Sequence, residues 1–319
     1  MKSMRKCAVL FAAVLLAAAS VRAQTVDTVE VYSPSMDKKI KNVVILPAGY
    51  GRNAVGRYPV VYLLHGYNNR YDSWLRKTKP ELPQTASAFG VIVVCPDGES
   101  SWYWDSPVNP RSRYETYVGT ELVAYVDAHY RTLPDRRGRA ITGYSMGGHG
   151  ALWLAFRHPD VFGACGSMSG GVDIRPFPNN WKISEQLGPY AENRAVWDEH
   201  TVLSQLYRVV PFTDANREVA STKARPVDYG LQPGQLAIVI DCGTEDYFFE
   251  VNRQLHEQML YYHISHDYIV RPGQHTHDYW RSAVEYHLFF FSAFFRYATE
   301  PVGRAYLNSS ALYSGCLSR

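Results

Sequence analysis

One serine in this chain has the sequence setting that a nucleophile requires. Ser145 is the centre of Gly143-Tyr144-Ser145-Met146-Gly147, which matches the pattern G-x-S-x-G. The pattern predicts a short strand, a sharp turn and a helix, and larger side chains at the two glycines would collide with the neighbouring strand and helix. The start of a helix also favours developing negative charge. The predicted chemistry is therefore attack by the Ser145 hydroxyl on a carbonyl group.

A serine hydroxyl needs a base within hydrogen-bond reach, and the base needs an acid to orient it. Where such a turn is used in an α/β sheet, the acid follows a late strand and the histidine comes last. The strand predicted at 235–241 is followed by three candidate acids, Asp241, Glu245 and Asp246. We predict Asp246, because it lies on the loop beyond the strand. Asp241 is still within the strand, and the direction of Glu245 is less certain.

Two histidines after the strand predicted at 267–271 are candidate bases. His275 follows Pro272-Gly273-Gln274 on a loop, so we predict it as the general base, whereas His277 lies closer to the next helix. The two histidines beside Asp278 also resemble a metal-ligand cluster. No second cluster with matching ligands is evident in the sequence, so no metal is expected.

Negative charge on the attacked carbonyl oxygen needs two backbone N–H donors, an oxyanion hole. One is expected from Met146, the residue after the serine, and the other from the loop after the third strand. That loop begins His65-Gly66-Tyr67, which makes the amide of Tyr67 the second candidate.

Four aromatic residues are candidate substrate contacts: Trp102, Tyr103, Trp104 and Trp280. The first three follow the strand predicted at 90–95, near the expected mouth of the site. They are predicted either to stack on a sugar or an aryl acyl group or to pack beneath an insertion, and the sequence does not separate these alternatives.

Apolar runs that alternate with helical stretches predict the elements that position these residues. Predicted strands cover 26–32, 40–46, 59–65, 90–95, 139–142, 162–168, 235–241 and 267–271, and predicted helices cover 114–130, 147–158, 248–262 and 278–297. The alternation indicates an α/β fold with a mostly parallel central sheet and helices on both faces. It stops at about 171–233, which we predict to be an insertion over the carboxyl edge of the sheet, where such folds bind ligands.

The two termini of the chain and its net charge restrict the class of protein to which it can belong. Lys2, Arg5 and Lys6 precede an apolar run of about a dozen residues, which predicts a signal peptide over 1–23 and export to a periplasm or beyond. The run is shorter than the about 20 residues that span a bilayer, so no stable membrane anchor is expected. We predict one catalytic domain over 24–300 and a tail over 301–319. A net charge of +3 argues against nucleic acid as a partner.

Four cysteines follow the predicted cleavage site: Cys95, Cys165, Cys242 and Cys316. None has the spacing of a zinc site. The first three lie at or near the ends of apolar strands and are predicted to be buried free thiols. Export would allow a pair to oxidise, and Cys165 and Cys242 fall on neighbouring predicted strands, but no bridge is assigned.

Four motifs in order resemble the esterase D-like group: Leu63-Leu64-His65-Gly66-Tyr67, Gly143-Tyr144-Ser145-Met146-Gly147-Gly148-His149-Gly150-Ala151, Asp241-Cys242-Gly243-Thr244-Glu245-Asp246 and Gly273-Gln274-His275. The group includes S-formylglutathione hydrolases, feruloyl and acetylxylan esterases, tributyrin esterases and mycolyltransferases. The resemblance covers most of the chain after the predicted signal peptide. It implies an α/β-hydrolase fold without a metal or other cofactor.

The same resemblance supports Ser145, Asp246 and His275 as a catalytic triad, with the amides of Tyr67 and Met146 as the oxyanion hole. One position departs from the group. Members often carry tryptophan two residues after the catalytic histidine, and this chain has His277 there. The packing around the base or the shape of the leaving-group site is therefore expected to differ.

Together these features predict a secreted serine carboxylic ester hydrolase that acts on short-acyl, acetyl or feruloyl esters through an acyl-enzyme. The substrate would be a small-molecule or carbohydrate ester, including esters on plant polysaccharide. Export disfavours hydrolysis of S-formylglutathione, which is a cytosolic reaction. Two alternatives remain: an acyltransferase to a sugar hydroxyl, and a non-catalytic binding protein, against which the intact order of serine, acid and histidine argues.

Overall fold

The computed structural model describes residues 24–51, 54–210 and 235–299. These residues contain an eight-stranded sheet in the order β1-β2-β4-β3-β5-β6-β7-β8. The strands are β1 Thr25–Ser33, β2 Lys38–Leu46, β3 Val60–Leu64, β4 Ile92–Pro96, β5 Arg139–Gly143, β6 Ala164–Met168, β7 Ala237–Gly243 and β8 Asp267–Arg271. β2 pairs antiparallel with β1 and β4, and all other neighbours are parallel. The predicted signal peptide and C-terminal tail lie outside the described residues.

Helices cover both faces of the sheet, as the sequence predicts. The α-helices are α1 Leu82–Phe89, α2 Tyr114–Thr116, α3 Leu122–His129, α4 Met146–Arg157, α5 Ile183–Leu187, α6 Arg194–Glu199, α7 Phe249–Tyr261 and α8 His277–Thr299. A π-helical turn, Tyr117–Glu121, joins α2 to α3, so the helix predicted at 114–130 is continuous but locally widened. The described ranges contain no helix with the length and apolarity needed to cross a bilayer.

The core has two layers because successive side chains of a strand point to opposite faces of the sheet. In β3, Val60, Tyr62 and Leu64 belong to one cluster, which includes residues of α3, α4 and α7. Val61 and Leu63 belong to the other, which includes residues of α1 and α8. Both faces of β3 are therefore buried, which explains why its sequence is continuously apolar.

The described part of the predicted insertion packs against the loop that follows β4. It contains α5, α6 and a 3₁₀ turn at Leu203–Arg208, whereas residues 211–233 of the insertion lie outside the described residues. The indole of Trp102, in the loop after β4, donates a hydrogen bond of 3.3 Å to the carbonyl of Trp181 in the insertion. The insertion thus contacts the carboxyl side of the parallel strands.

Three of the four cysteines can be described, and all three are buried free thiols, as predicted. Cys165 lies opposite Ile238 in the pairing of β6 with β7, and it forms no bridge with Cys242. Burial raises the pKa of all three thiols, which keeps them protonated and unreactive. Cys316 lies outside the described residues.

Candidate active site

Ser145 lies in a strained turn between β5 and α4. Its backbone has φ 57° and ψ −122°, a region that residues with a side chain rarely adopt. Hydrogen bonds on both sides hold this conformation. The Ser145 amide donates to the carbonyl of Met168 in β6 at 2.9 Å, and its carbonyl accepts from the amides of Gly148 and His149. Strain that neighbouring structure maintains is typical of functional positions.

The two glycines of the motif are required by close backbone contacts. A Cβ atom at Gly143 would lie 2.6 Å from the carbonyl oxygen of Gly147. A Cβ atom at Gly147 would lie 2.6 Å from the carbonyl oxygen of Leu64 in β3. The turn can therefore approach β3 only because both positions lack a side chain.

Ser145, His275 and Asp246 form a continuous hydrogen-bonded chain. The His275 Nε2 atom lies 2.9 Å from the Ser145 Oγ atom. On its other side, the His275 Nδ1 atom lies 2.8 Å from one carboxylate oxygen of Asp246 and 3.0 Å from the other. The structure thus brings together three residues that are far apart in the chain, and both ring nitrogens of the histidine are engaged.

One alternative acid and the alternative base have other partners, and the second alternative acid is exposed. Asp241 is buried in β7, where it accepts hydrogen bonds from Arg271 and Tyr279. Glu245 is exposed. The Nδ1 atom of His277 lies 2.8 Å from the hydroxyl of Thr78, and burial lowers the pKa of this histidine. Within the described residues, no three His, Cys, Asp or Glu side chains are grouped to hold a metal ion.

Backbone and aromatic contacts fix Asp246 and His275. Asp246 follows the end of β7, its side chain is fully buried, and one of its oxygens accepts the amide of Phe248 at 2.8 Å. Three rings surround the imidazole of His275, with centroids at 4.2 Å for Tyr247, 5.4 Å for Phe248 and 4.8 Å for Trp280. The imidazole is therefore held by packing as well as by hydrogen bonds.

Gly66 brings the loop after β3 next to the serine. A Cβ atom at Gly66 would lie 3.1 Å from the Cβ atom of Ser145. Among the hydrogen bonds of the described residues, neither the amide of Tyr67 nor that of Met146 donates to a protein acceptor. Both predicted oxyanion donors are thus available to a ligand beside Ser145.

The serine opens into a cavity of about 170 Å³, which we call the reactive cavity. Its lining comprises Gly66, Tyr67, Asn69, Tyr144, Ser145, Trp181, Tyr247, His275, His277 and Trp280. Trp181 and Tyr247 stack on each other with ring centroids 5.7 Å apart, and Tyr247 is half exposed. The reactive cavity therefore has an aromatic wall made by the insertion and by the loop that carries Asp246.

Sequence reasoning missed Trp181 and Tyr247 as lining residues. Tyr247 directly follows Asp246. Its position after a strand end, next to the predicted acid, was the signal in the sequence that it could line the site. Trp181 lies in the insertion, whose path could not be derived from periodicity. Trp280, a candidate substrate contact, does line the reactive cavity, where it stacks on Tyr144 with ring centroids 4.2 Å apart.

The predicted substrate contacts of Trp102, Tyr103 and Trp104 are wrong. Their exposed fractions are 1%, 0% and 0%. Positive φ angles at Trp102 and Tyr103, 58° and 62°, turn this loop inward. Trp102 and Trp104 stack on each other, and the Tyr103 hydroxyl donates to the His65 carbonyl at 3.1 Å. The alternative, packing beneath the insertion, is the arrangement observed.

We expect Trp104→Ala to lower the free energy of unfolding by about 3–5 kcal/mol, because it deletes a fully buried indole from the core. The KM for a small ester should change little, since the ring does not line the reactive cavity. Denaturant unfolding and steady-state kinetics on the folded variant measure the two effects. A raised KM with unchanged stability would restore the substrate-binding interpretation.

Comparison with known proteins adds a family and several relatives. A family model described as "Putative esterase" matches residues 33–290. An acetyl esterase of Caldicellulosiruptor saccharolyticus is 26% identical over 228 residues, which cover 70% of this chain and 79% of that protein. An endo-1,4-beta-xylanase/feruloyl esterase of Xylanibacter ruminicola is 32% identical over 157 residues, which cover 46% of this chain and 22% of that protein.

Other relatives are much longer than the region in which they resemble this chain. An esterase of Mycobacterium tuberculosis is 35% identical over 136 residues, which cover 41% of this chain and 29% of that protein. Among solved structures, a ferulic acid esterase matches with a TM-score of 0.68 and 28% identity, over 86% of this chain and 99% of that chain. An S-formylglutathione hydrolase of Staphylococcus aureus matches with a TM-score of 0.69 and 19% identity, over 85% and 100% of the two chains, which supports the fold alone.

Proposed function

The chain belongs to the putative esterase family, and from that membership we propose that it is a serine carboxylic ester hydrolase. The observation that carries the proposal is the 2.9 Å contact between the Ser145 Oγ atom and the His275 Nε2 atom, with Asp246 on the far side of the imidazole. A serine hydroxyl becomes a useful nucleophile only where a base can take its proton as it attacks.

In the first half-reaction, the Ser145 oxygen attacks the ester carbonyl and its proton passes to His275 Nε2. The carboxylate of Asp246 accepts the Nδ1–H bond, which fixes the tautomer that leaves Nε2 free and stabilises the imidazolium. The amides of Tyr67 and Met146 donate to the carbonyl oxygen as it gains negative charge. The bond to the leaving alcohol then breaks, and its oxygen takes the proton from His275.

In the second half-reaction, water attacks the acyl group held on Ser145. His275 accepts a proton from that water, and the collapse of the second intermediate returns the serine hydroxyl and releases the carboxylic acid. The residues that carry out each step are thus the same, and no further group is needed to balance protons.

The aromatic wall of the reactive cavity favours a short or a flat acyl group. Trp181 and Tyr247 offer ring faces for stacking against an aryl acid, and the volume of about 170 Å³ holds a small acyl group but only part of a long aliphatic chain. The names of the relatives, acetyl esterase and feruloyl esterase, agree with this range. We therefore propose acetyl or feruloyl esters as substrates, encountered outside the cytoplasm if the predicted signal peptide directs export.

A side-by-side assay of p-nitrophenyl acetate, p-nitrophenyl palmitate and methyl ferulate tests this proposal. We expect turnover of the acetyl and feruloyl esters and a lower kcat/KM for the palmitoyl ester, because only part of its chain fits within the reactive cavity. Turnover of none of the three would contradict ester hydrolysis. A preference for palmitate would contradict the proposed acyl range.

Acyl transfer to a sugar is the second candidate. One relative, from Mycobacterium leprae, is named a diacylglycerol acyltransferase/mycolyltransferase and is 34% identical over 162 residues. The same acyl-enzyme would serve both reactions, and the acceptor decides between them. Product analysis with water and a sugar competing for the acyl group separates the two. A product that is mostly acylated sugar at low sugar concentration would favour the transferase.

A further inference from the structure

Asp241, which lies inside β7, is a fully buried acid that the proposed reaction does not use. Its side chain has no exposure to solvent. Arg271, the last residue of β8, donates through Nη2 to both of its carboxyl oxygens, at 3.3 Å and 3.1 Å. The hydroxyl of Tyr279, in the first turn of α8, donates to one of the same oxygens. Asp241 thus ties β7 to the end of β8 and to the start of α8.

These partners are needed because a carboxylate removed from water is unfavourable without hydrogen bonds or an opposite charge. Burial raises the pKa of the Asp241 carboxyl, and the contacts with Tyr279 and Arg271 act in the opposite direction. The guanidinium carbon of Arg271 also lies over the ring of Tyr279, 4.5 Å from its centroid. The three side chains therefore hold one another in place, and we call them the Asp241 cluster.

The ring of Tyr279 packs on two glycines, one at the base of each loop that carries a predicted triad residue. A Cβ atom at Gly273 would lie 2.3 Å from the Tyr279 Cδ2 atom, and one at Gly243 would lie 3.2 Å from the Cε2 atom. Gly273 also has φ 149°, a conformation that favours glycine. Gly243 shortly precedes Asp246, and Gly273 shortly precedes His275. The ring therefore contacts both loops where they leave the sheet.

Two backbone hydrogen bonds join the same two loops. The amide of Thr244 donates to the carbonyl of Arg271, and the amide of Glu245 donates to the carbonyl of Gly273, both at 2.9 Å. Asp246 is the next residue in the chain, so its position follows that of the joined segment. A shift of the end of β8 relative to β7 would therefore change the distance between the carboxylate of Asp246 and the imidazole that it contacts.

We propose that Asp241 is a positioning residue that fixes the contact between Asp246 and His275. The inference rests on the proposed ester hydrolysis and adds to it a side chain that touches neither the substrate nor a reacting atom. Asp241 acts through Tyr279, whose ring it holds against the two loops. As the proposed base, His275 works only while Asp246 orients its ring. Displacing a catalytic group by about 1 Å can lower the rate about a hundredfold, so a small change in the Asp241 cluster affects turnover.

Tyr279→Phe and Asp241→Asn test this role, because both nearly keep the shape of the side chain. Tyr279→Phe leaves the ring against the two glycines but removes its hydroxyl, and Asp241→Asn removes the charge. We expect kcat for p-nitrophenyl acetate to fall about tenfold in each variant while KM stays nearly constant. Both half-reactions use the same proposed base, and neither residue lines the reactive cavity. The rate is expressed per active site, counted by the fluorophosphonate bound at completion, so that unfolded protein is excluded.

Asp127→Asn is the matched control, because Asp127 also pairs with a buried arginine but at the opposite end of the sheet. Its carboxylate accepts from Arg139 Nη2 at 2.6 Å, and Arg139 is the first residue of β5. Asp127→Asn should lower the denaturant midpoint, as Asp241→Asn does, yet leave kcat per active site unchanged.

The outcomes separate a positioning role from a purely structural one. Unchanged kcat per active site in Tyr279→Phe and Asp241→Asn, with only their stability lowered, would overturn the inference. So would a raised KM with unchanged kcat. Should Asp241→Asn yield no folded protein, Tyr279→Phe decides by the same measurement, since it retains the packing of the ring. A wild type that neither hydrolyses the ester nor takes the label would contradict the proposed function itself.

Discussion

Replacing Ser145 by alanine is expected to lower kcat/KM for p-nitrophenyl acetate by about 10⁴-fold or more. The variant keeps the proposed oxyanion donors and the reactive cavity but loses the oxygen atom that lies beside His275 Nε2 and that the acyl group would join. Residual activity should reflect water attack assisted by the oxyanion hole, which is worth far less than covalent catalysis. Steady-state kinetics over a range of enzyme concentrations measures the loss.

Covalent labelling separates this loss from misfolding and from a non-catalytic role. A fluorophosphonate should label the wild type and Ser292→Ala, whose serine lies on α8 outside the reactive cavity, but not Ser145→Ala. Labelling that persists in Ser145→Ala would show that another side chain is the nucleophile. A wild type that takes no label would support the non-catalytic binding protein instead.

Much of the fold could be predicted because its central strands are buried on both faces. β3 and β4 are continuous apolar runs, and short apolar runs bounded by turn residues are typical of central strands in a parallel sheet. All eight predicted strands and all four predicted helices are present, with ends that differ by no more than two residues. Helix α1 is not predicted from the sequence. It is short, has proline as its second residue, and lies in a stretch without clear periodicity.

The triad candidates could also be identified from sequence, since topology restricts where they lie. Parallel strands end at one edge of the sheet, so residues that follow β5, β7 and β8 converge there whatever their separation in the chain. The sequence predicts Asp246 rather than Asp241, because Asp246 lies beyond the strand and Asp241 lies within it. The structure shows the physical difference: Asp241 is already bonded to Arg271 and Tyr279.

The walls of the site could not be predicted, because they depend on loop paths. Trp102 and Tyr103 follow a strand end, as active-site residues often do, yet their positive φ angles turn them into the core. Conversely, Trp181 reaches the reactive cavity from an insertion whose described part has two short helices and no regular pattern. Local backbone conformation sets the direction of both segments. The residues with positive φ at these turns are not glycines, so the sequence does not indicate the turns.

Replacing His275 by alanine is expected to lower kcat/KM by about as much as Ser145→Ala, about 10⁴-fold or more, since the serine and the base act as one unit. His277→Ala should cost far less. His277 bonds Thr78 rather than Ser145, and its ring lies against Trp280 with centroids 5.1 Å apart, so its loss removes part of the cavity wall but no proton acceptor. Kinetics of the two variants with p-nitrophenyl acetate provide the comparison, and the opposite ranking would identify His277 as the base.

The double variant Ser145→Ala/His275→Ala sharpens this comparison, because residues that share one step are not additive. Once the nucleophile is absent, the imidazole has no serine proton to accept, so the double variant should be no slower than the slower single variant. In Ser145→Ala/His277→Ala the two losses in kcat/KM should instead multiply. His277 is part of the cavity wall and contributes to substrate binding whether or not the acyl-enzyme forms. Multiplied losses for the pair Ser145 and His275 would mean that the 2.9 Å contact between them is not used in catalysis.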